Sequence, residues 1–335
     1  MVVPWIVASV VALAGCGPVP PSVSPTGVSP LPTTSTSAAV GASPPSSATG
    51  SISVTTLPVA LPVPLSRAVA FAAGSEILVC GGLLGSGATT SAIVRIDPAG
   101  ESAIRVGSLA VGVHDAAGAS LGDLNLVIGG GRGLAVTTIQ TCQPDGSATV
   151  TGHLPAPRAD ASGVGVIDAG SPEVVVVGGG DAGVLEPAVL ATSDGSATSR
   201  IATLAVGVRY AAIVAIGRSV VVIGGFRTSA DTADIQTIDL DTGRTRIVGR
   251  LPAPLAHAAA FAMDGRIVVA GGTVGGTAQR AIWAIDPSTW AVSRLGDLPV
   301  ALSDMAVVSL DGSADLVGGV GVDGPVSSIV EIRPG

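Results

Sequence analysis

Lysine is absent from this chain: all sixteen basic residues are arginine, set against 24 acidic residues for a net charge of −8. No stretch gathers those arginines into a basic stripe, which excludes nucleic acid and anionic membrane surfaces as partners. Histidine is limited to His114, His153 and His257, and cysteine to Cys16, Cys80 and Cys142. Neither set shows His-Glu-x-x-His or Cys-x-x-Cys spacing, so no transition-metal site is expected. Asp115, Asp160 and Asp304 could hold a hard cation but stand outside any Asp-rich calcium loop, and no cofactor is implied. Aromatic residues make up 2% of the chain and charged residues 12%, against 47% apolar residues. That balance excludes disorder for most of the chain. A capped helical periodicity is also missing, which excludes a helical solenoid.

What is abundant is glycine, 47 residues, dispersed among short Val- and Ala-rich runs. From residue 51 onward those runs repeat. Each ends in a Gly pair, at 81–82, 129–130, 178–179, 224–225, 271–272 and 318–319, with intervals of 48, 49, 46, 47 and 47 residues. Six units at such a period mark a repeat architecture. In the fifth unit, His257 to Met263 reads as a strand, Asp264-Gly265 as a tight turn and Arg266 to Ala270 as a second strand. Beyond Gly271-Gly272, Ala281 to Ile285 and Trp290 to Leu295 supply two more strands around Asp286-Pro287. Four antiparallel strands per repeat make a propeller blade, and six blades make a closed all-β ring. The last unit lacks a fourth strand, whereas Ser51 to Thr56 is an orphan strand ahead of the first. The N-terminal strand is therefore predicted to complete the sixth blade and cover its edge.

The order of hydrophobic strand, Gly pair, aromatic-Asp-Pro turn and later Trp resembles the kelch repeat. It is nearly whole only in the fifth unit, through Trp283, Asp286-Pro287 and Trp290; elsewhere Ile, Val or Thr stand in for the aromatics. Over residues 51–335 the resemblance implies a six-bladed β-propeller of four-stranded antiparallel blades, closed by the N-terminal strand. In kelch proteins the face beyond the Gly pairs commonly carries ligand contacts, with an arginine that binds acidic groups.

Residues 1–16 run from an apolar stretch into Leu13-Ala14-Gly15-Cys16. The stretch is too short to span a bilayer and fits the apolar region of an export signal, although no Lys or Arg precedes it. Its ending resembles the bacterial lipobox, which implies lipidation of Cys16 and anchoring to the cell membrane on its outer side. Residues 17–50, built of Pro, Ser, Thr, Ala and Gly, read as a disordered, solvated tether.

Fourteen residues before each Gly pair lies an aligned position holding Arg67, Asp115, Tyr210, His257 and Asp304; a longer turn in the third unit places Asp160 eighteen before. A ring of six polar groups at one mouth of the central channel is expected. The loops after the Gly pairs add Arg132, Asp181, Phe226 and Arg227, and Arg158 and Arg209 sit one or two places before the aligned position. The tentative ligand contacts are Arg67, Asp115, Asp160, Tyr210, His257, Asp304, Arg132 and Arg227. Polar strand starts at a solvent face are common, so the ring is equally a structural expectation.

With one tyrosine, the copper radical oxidases of kelch fold are excluded, since they need two. Sialidases need Ser-x-Asp-x-Gly-x-x-Trp turns, which no repeat shows. A small-sugar epimerase, mutarotase or hydrolase needs only a placed acid and base, which His257 with Asp304 or Tyr210 can supply. The leading expectation is a monomeric, non-catalytic, lipid-anchored extracytoplasmic scaffold for a glycan, small polar molecule or protein. Cys80 and Cys142 fall at apolar positions in different blades and are expected as buried free thiols. Arg67→Ala is expected to leave thermal stability nearly unchanged. Cys16→Ser is predicted to move the protein from the membrane to the soluble fraction on cell fractionation; continued membrane retention would refute lipidation.

Overall fold

From residue 51 onward, short β-branched runs separated by glycine turns favour strand over helix. The computed structural model describes residues 50–167 and 172–335, and those residues contain strands and turns without a helix. The expected signal and lipid site at 1–16 and all of the tether except Gly50 lie outside the described residues. Six antiparallel sheets of four principal strands fan around one axis. In the fifth these are Ala259–Met263, Arg266–Ala270, Thr277–Ile285 and Val292–Leu302. The innermost strands are Val69–Ala73, Ala117–Leu121, Ala159–Val166, Ala212–Ile216, Ala259–Met263 and Ala306–Leu310, each beside the next with the sixth back against the first. The six-bladed propeller expected from the repeats is the fold.

Ile52–Ala60 is the outer strand of the sixth blade, antiparallel to Ser328–Pro334 with Ile52 opposite Pro334 and Thr56 opposite Val330. It outruns the expected Ser51–Thr56 because a register shift after Thr56 carries it on to pair Ala60 with Ser328. That extension buries Val59 and Leu61 between the sixth and first blades. Ring closure thus brings its own hydrophobic contribution, and Ser328–Pro334 is no longer the edge of the last sheet.

Each core is a wedge between two neighbouring blades. Phe71, Leu78, Ile93 and Val127 fill the wedge between blades one and two, and Ile223, Ile235, Ile267 and Ile285 fill that between four and five. Burying one such side chain contributes about 1.5–3 kcal/mol. Two fully buried glutamines tie blades by their amides: Gln140 both donates to the Val111 carbonyl (2.8 Å) and accepts from its N–H (3.0 Å), and Gln236 does the same with Val206 (3.0 and 2.8 Å). In five blades an aspartate closes the turn between third and fourth strands. Asp97, Asp145, Asp194, Asp239 and Asp286 each accept backbone N–H groups at 2.8–3.1 Å. The sixth blade has no such turn, because its outer strand comes from the other end of the chain.

The Gly pairs hold the blades to one another. All twelve glycines have positive φ. A Cβ on the first of each pair would overlap a carbonyl oxygen of the next blade, on Val113, Arg158, Val208, Leu255, Leu302 or Leu65. That same oxygen accepts the N–H of the second glycine at 2.8–2.9 Å. Any side chain here would push the blades apart and break the bond between them.

Cys80 and Cys142 form a disulfide, with Cα atoms 6.7 Å apart, which corrects the expectation of free thiols. Both positions are apolar and in different blades, as read from the repeats. The missing element was that the end of one blade's second strand faces the third strand of the next across a shared wedge. The bond staples blade one to blade two over a sequence separation of 62. Cys80→Ala is predicted to lower stability by about 2–5 kcal/mol. Thermal melts with and without reductant check it: reduced wild type should converge on the variant, and unchanged melting would overturn the claim.

Candidate functional site

The six aligned residues form a ring in the backbone before their side chains are considered. The N–H of each donates to the carbonyl of its predecessor: Asp115 to Arg67, Asp160 to Asp115, Tyr210 to Asp160, His257 to Tyr210, Asp304 to His257 and Arg67 back to Asp304, at 2.9–3.0 Å. All six have φ between 54° and 61°, in the left-handed region. That conformation turns N–H and C=O along the circumference, so each blade bonds to its neighbour. Left-handed backbone costs a residue other than glycine about 1 kcal/mol or more. Asp and His tolerate it best among the residues present, which accounts for four of the six positions. Arg67 and Tyr210 have no such backbone reason.

The residue before each ring position pairs with the residue after the Gly pair of its own blade. His114 pairs with Gly131, Arg209 with Phe226, and Ala159 with Gly180. A second tier of side chains therefore stands outside the ring, with His114 and Arg209 on either side of Asp160. Within this tier His114 is the residue that repeat alignment did not single out: it shared its offset with Arg209, but only the ring's geometry aims both at one place.

The side chains of the ring converge. Arg67 reaches Asp115 (Nη1 to Oδ2, 3.1 Å) and Asp304 (Nε to Oδ1, 3.3 Å), and His257 Nδ1 lies 2.6 Å from the same Asp304 oxygen. The Tyr210 hydroxyl donates to Asp160, which also faces Arg209 at 3.5 Å. Tyr210 stacks on His257 with centroids 4.0 Å apart. Arg209 lies over both Tyr210 (5.5 Å) and Phe226 (5.0 Å), a cation between two aromatic rings. The Arg209 Nε–H is buried without a partner among the described residues.

This network drives its acids apart. Burial, reinforced by Asp160 and Asp304 against the opposing Arg67, pushes Asp115 up to about 7. Burial also raises Asp160 and the Tyr210 phenol. Burial acts on Asp304 in the same sense, but the His257 hydrogen bond and the His257 and Arg67 charges hold it below the usual carboxylate range. His114 is lowered by burial and by Arg67.

Two hollows adjoin here. The channel mouth, about 140 Å³, is ringed by the six aligned residues. Beside it a cavity of about 430 Å³ is bounded by His114, Asp160 and Arg209, with Leu134, Val184 and Leu185 on its outer wall. Asp160 borders both. Of the other expected residues, Asp181 lines the larger cavity; Arg132 and Arg227 are exposed on the same face and line neither hollow, Arg132 standing between Gly131 and Gly133 of the larger cavity's wall. Arg158 is withdrawn from the site: it is buried between blades, bonded to the Ala188 carbonyl (2.9 Å) and Glu186 (3.4 Å). Among the described residues no three His, Cys, Asp or Glu side chains are gathered to hold a metal ion.

Fold and rim together define a six-bladed β-propeller with a polar collar at one mouth of its channel. A Kelch motif matches residues 254–299, the fifth blade and its approach. The propeller is similar to a solved chain described as the structure of YjhT, at 17% identity and a TM-score of 0.70, over 83% of this chain and 97% of that one. A search of curated proteins gives no match.

Arg67 is a bridge between two largely buried carboxylates, which reverses the expectation that its loss leaves stability unchanged. Arg67→Ala is predicted to destabilise at neutral pH by about 1–3 kcal/mol, less than for a fully buried pair because Arg67 is part-exposed. The sign follows from the Asp304 shift: its depressed folded pKa gives stability above the unfolded value that is lost as pH falls through the folded one. The Asp304 share of the deficit should therefore persist down to about pH 4, near the ordinary carboxylate pKa, and shrink only on acidification below it. A deficit independent of pH would contradict the bridge.

Proposed function

We propose that this chain is a lipid-anchored, extracytoplasmic binding scaffold whose collar face takes a glycan or similar polyhydroxylated molecule. The observation that carries the reading is the cavity of about 430 Å³ opening beside the collar, with His114, Asp160 and Arg209 at its inner wall. Its size suits a small ligand, and an apolar outer wall with a few convergent polar groups is the usual make-up of such sites. Arg209 lines the cavity with about a third of its side chain exposed, 32%. Placement outside the cytoplasm is supported by the Cys80–Cys142 disulfide, since such bonds persist in oxidising compartments. Ile52 pairs with Pro334 at the end of the sixth blade's third strand, on the face opposite the collar.

A second reading, proton transfer on a small sugar, is favoured by one feature: Asp115 held near 7 and Asp304 held low on the same rim. Groups so separated can act as acid and base. His257, fixed through Nδ1 by Asp304, would present Nε2 as the transferring atom.

Thermal-shift screening with neutral and acidic oligosaccharides tests the scaffold. A ligand at about 100 times its Kd should add about 2.7 kcal/mol of stability. Arg209→Gln should abolish the shift; a panel without any hit, or a shift kept in that variant, would sink the reading. If anomer exchange of the bound sugar, followed by NMR, is accelerated and His257→Gln removes the acceleration but not binding, the catalytic reading replaces the passive one.

A further inference from the structure

The face opposite the collar carries its own cleft, between blades four and five. It is bounded by the ends of strands that run away from the collar and the starts of those returning: Ser219, Thr237, Asp239, Arg244 and Arg246 from blade four, and Trp290 from blade five. Its volume is about 230 Å³.

Its charges are arranged unlike those elsewhere on the surface. Most arginines of this acidic protein are spent on carboxylates or carbonyls of the fold. The guanidinium groups of Arg244 and Arg246 make no hydrogen bond or close ion pair with any described residue, and both are exposed. The carboxylate near them, Asp239, is already engaged by the backbone N–H groups of Asp241 and Thr242 at 3.1 and 3.0 Å. The Thr242 N–H and hydroxyl, the Asp241 N–H and the Arg246 charge together hold it below the usual carboxylate range. Two cations, of which only Arg246 acts on Asp239 and neither makes a side-chain hydrogen bond to a described residue, leave the cleft an excess of positive charge and of N–H donors.

Trp290 supplies the other wall. Its φ is 62°, at the turn position where blade four has Gly243 with φ 66°. Each donates its N–H to the aspartate carbonyl that opens the turn, Trp290 to Asp286 (2.7 Å) and Gly243 to Asp239 (2.8 Å). A bulky residue in left-handed backbone is a costly choice where glycine serves the neighbouring blade. The indole packs on the blade four–five core and leaves part of its surface in the cleft.

We propose that this cleft is a second binding site, for a single sugar ring bearing a carboxylate. An indole surface gives an apolar platform for the C–H face of a pyranose. The paired guanidiniums match a carboxylate in geometry as well as charge, and Ser219 and Thr237 can meet ring hydroxyls. The volume admits one ring, so a disaccharide would seat one uronate and leave its other ring outside the cleft. The site is independent of the collar, which lies on the other face.

Calorimetric titration of the full chain with digalacturonate at low salt tests the site. One equivalent should bind, weaken as salt is raised, and find no counterpart with maltose. The double variant Arg244→Gln/Arg246→Gln should lose at least about tenfold in affinity while melting as wild type does. Saturation-transfer NMR should show the bound sugar receiving magnetisation from the indole protons. Tyr210→Phe, on the collar, should leave digalacturonate binding unchanged, which separates failure of this site from failure of the collar. Absence of binding at millimolar sugar, equal affinity for maltose, or wild-type affinity in the double variant would overturn the proposal.

Discussion

Two concentric circles of hydrogen bonds between blades organise this molecule. The outer one joins the second glycine of every Gly pair to a carbonyl of the next blade. The inner one is the closed cycle through Arg67, Asp115, Asp160, Tyr210, His257 and Asp304. Sheets pack through side chains whose contacts tolerate sliding, whereas a hydrogen bond fixes distance and direction together. Six wedges of Val, Ile and Leu supply the adhesion; the two circles set the spacing and leave the side chains of the inner one pointing at a common axis.

The collar's chemistry follows from that constraint. A left-handed backbone at six consecutive blades restricts which residues are tolerated, and Asp and His are among them. Gathering three aspartates at one mouth then raises the cost of ionising all of them, so Arg67 and Arg209 and the Asp304–His257 contact stabilise the arrangement and split the acids into raised and lowered members. What began as a demand of ring closure ends as a graded acid–base environment. The cleft beside Trp290 shows a related economy on the opposite face, where a turn that needs positive φ holds an indole at the cleft wall.

Much of the architecture was legible in the repeats. The Gly pairs gave blade number and spacing, the unmatched strand at Ser51 gave the closure, and the offset of fourteen residues picked out the ring, with Asp160 recovered through its longer turn. The disulfide was not legible, because nothing in a one-dimensional repeat says which strand of one blade faces which strand of the next. Arg158 and Arg209 show the same limit. Two places and one place ahead of the ring they read alike, yet one points into a wedge and the other onto Tyr210 and Phe226. His114 escaped notice as a wall residue for that reason.

By itself the sequence determined the number of blades, the sheet they are made of, the strand that closes them and the polar identity of the channel mouth, because periodicity and residue type survive projection onto a line. The tertiary structure alone decided which charges neutralise one another, which thiols meet and where hollows remain. Those depend on distances of a few ångströms between blades nearly fifty residues apart in the chain, and such distances are set by packing around the axis, which no local pattern encodes.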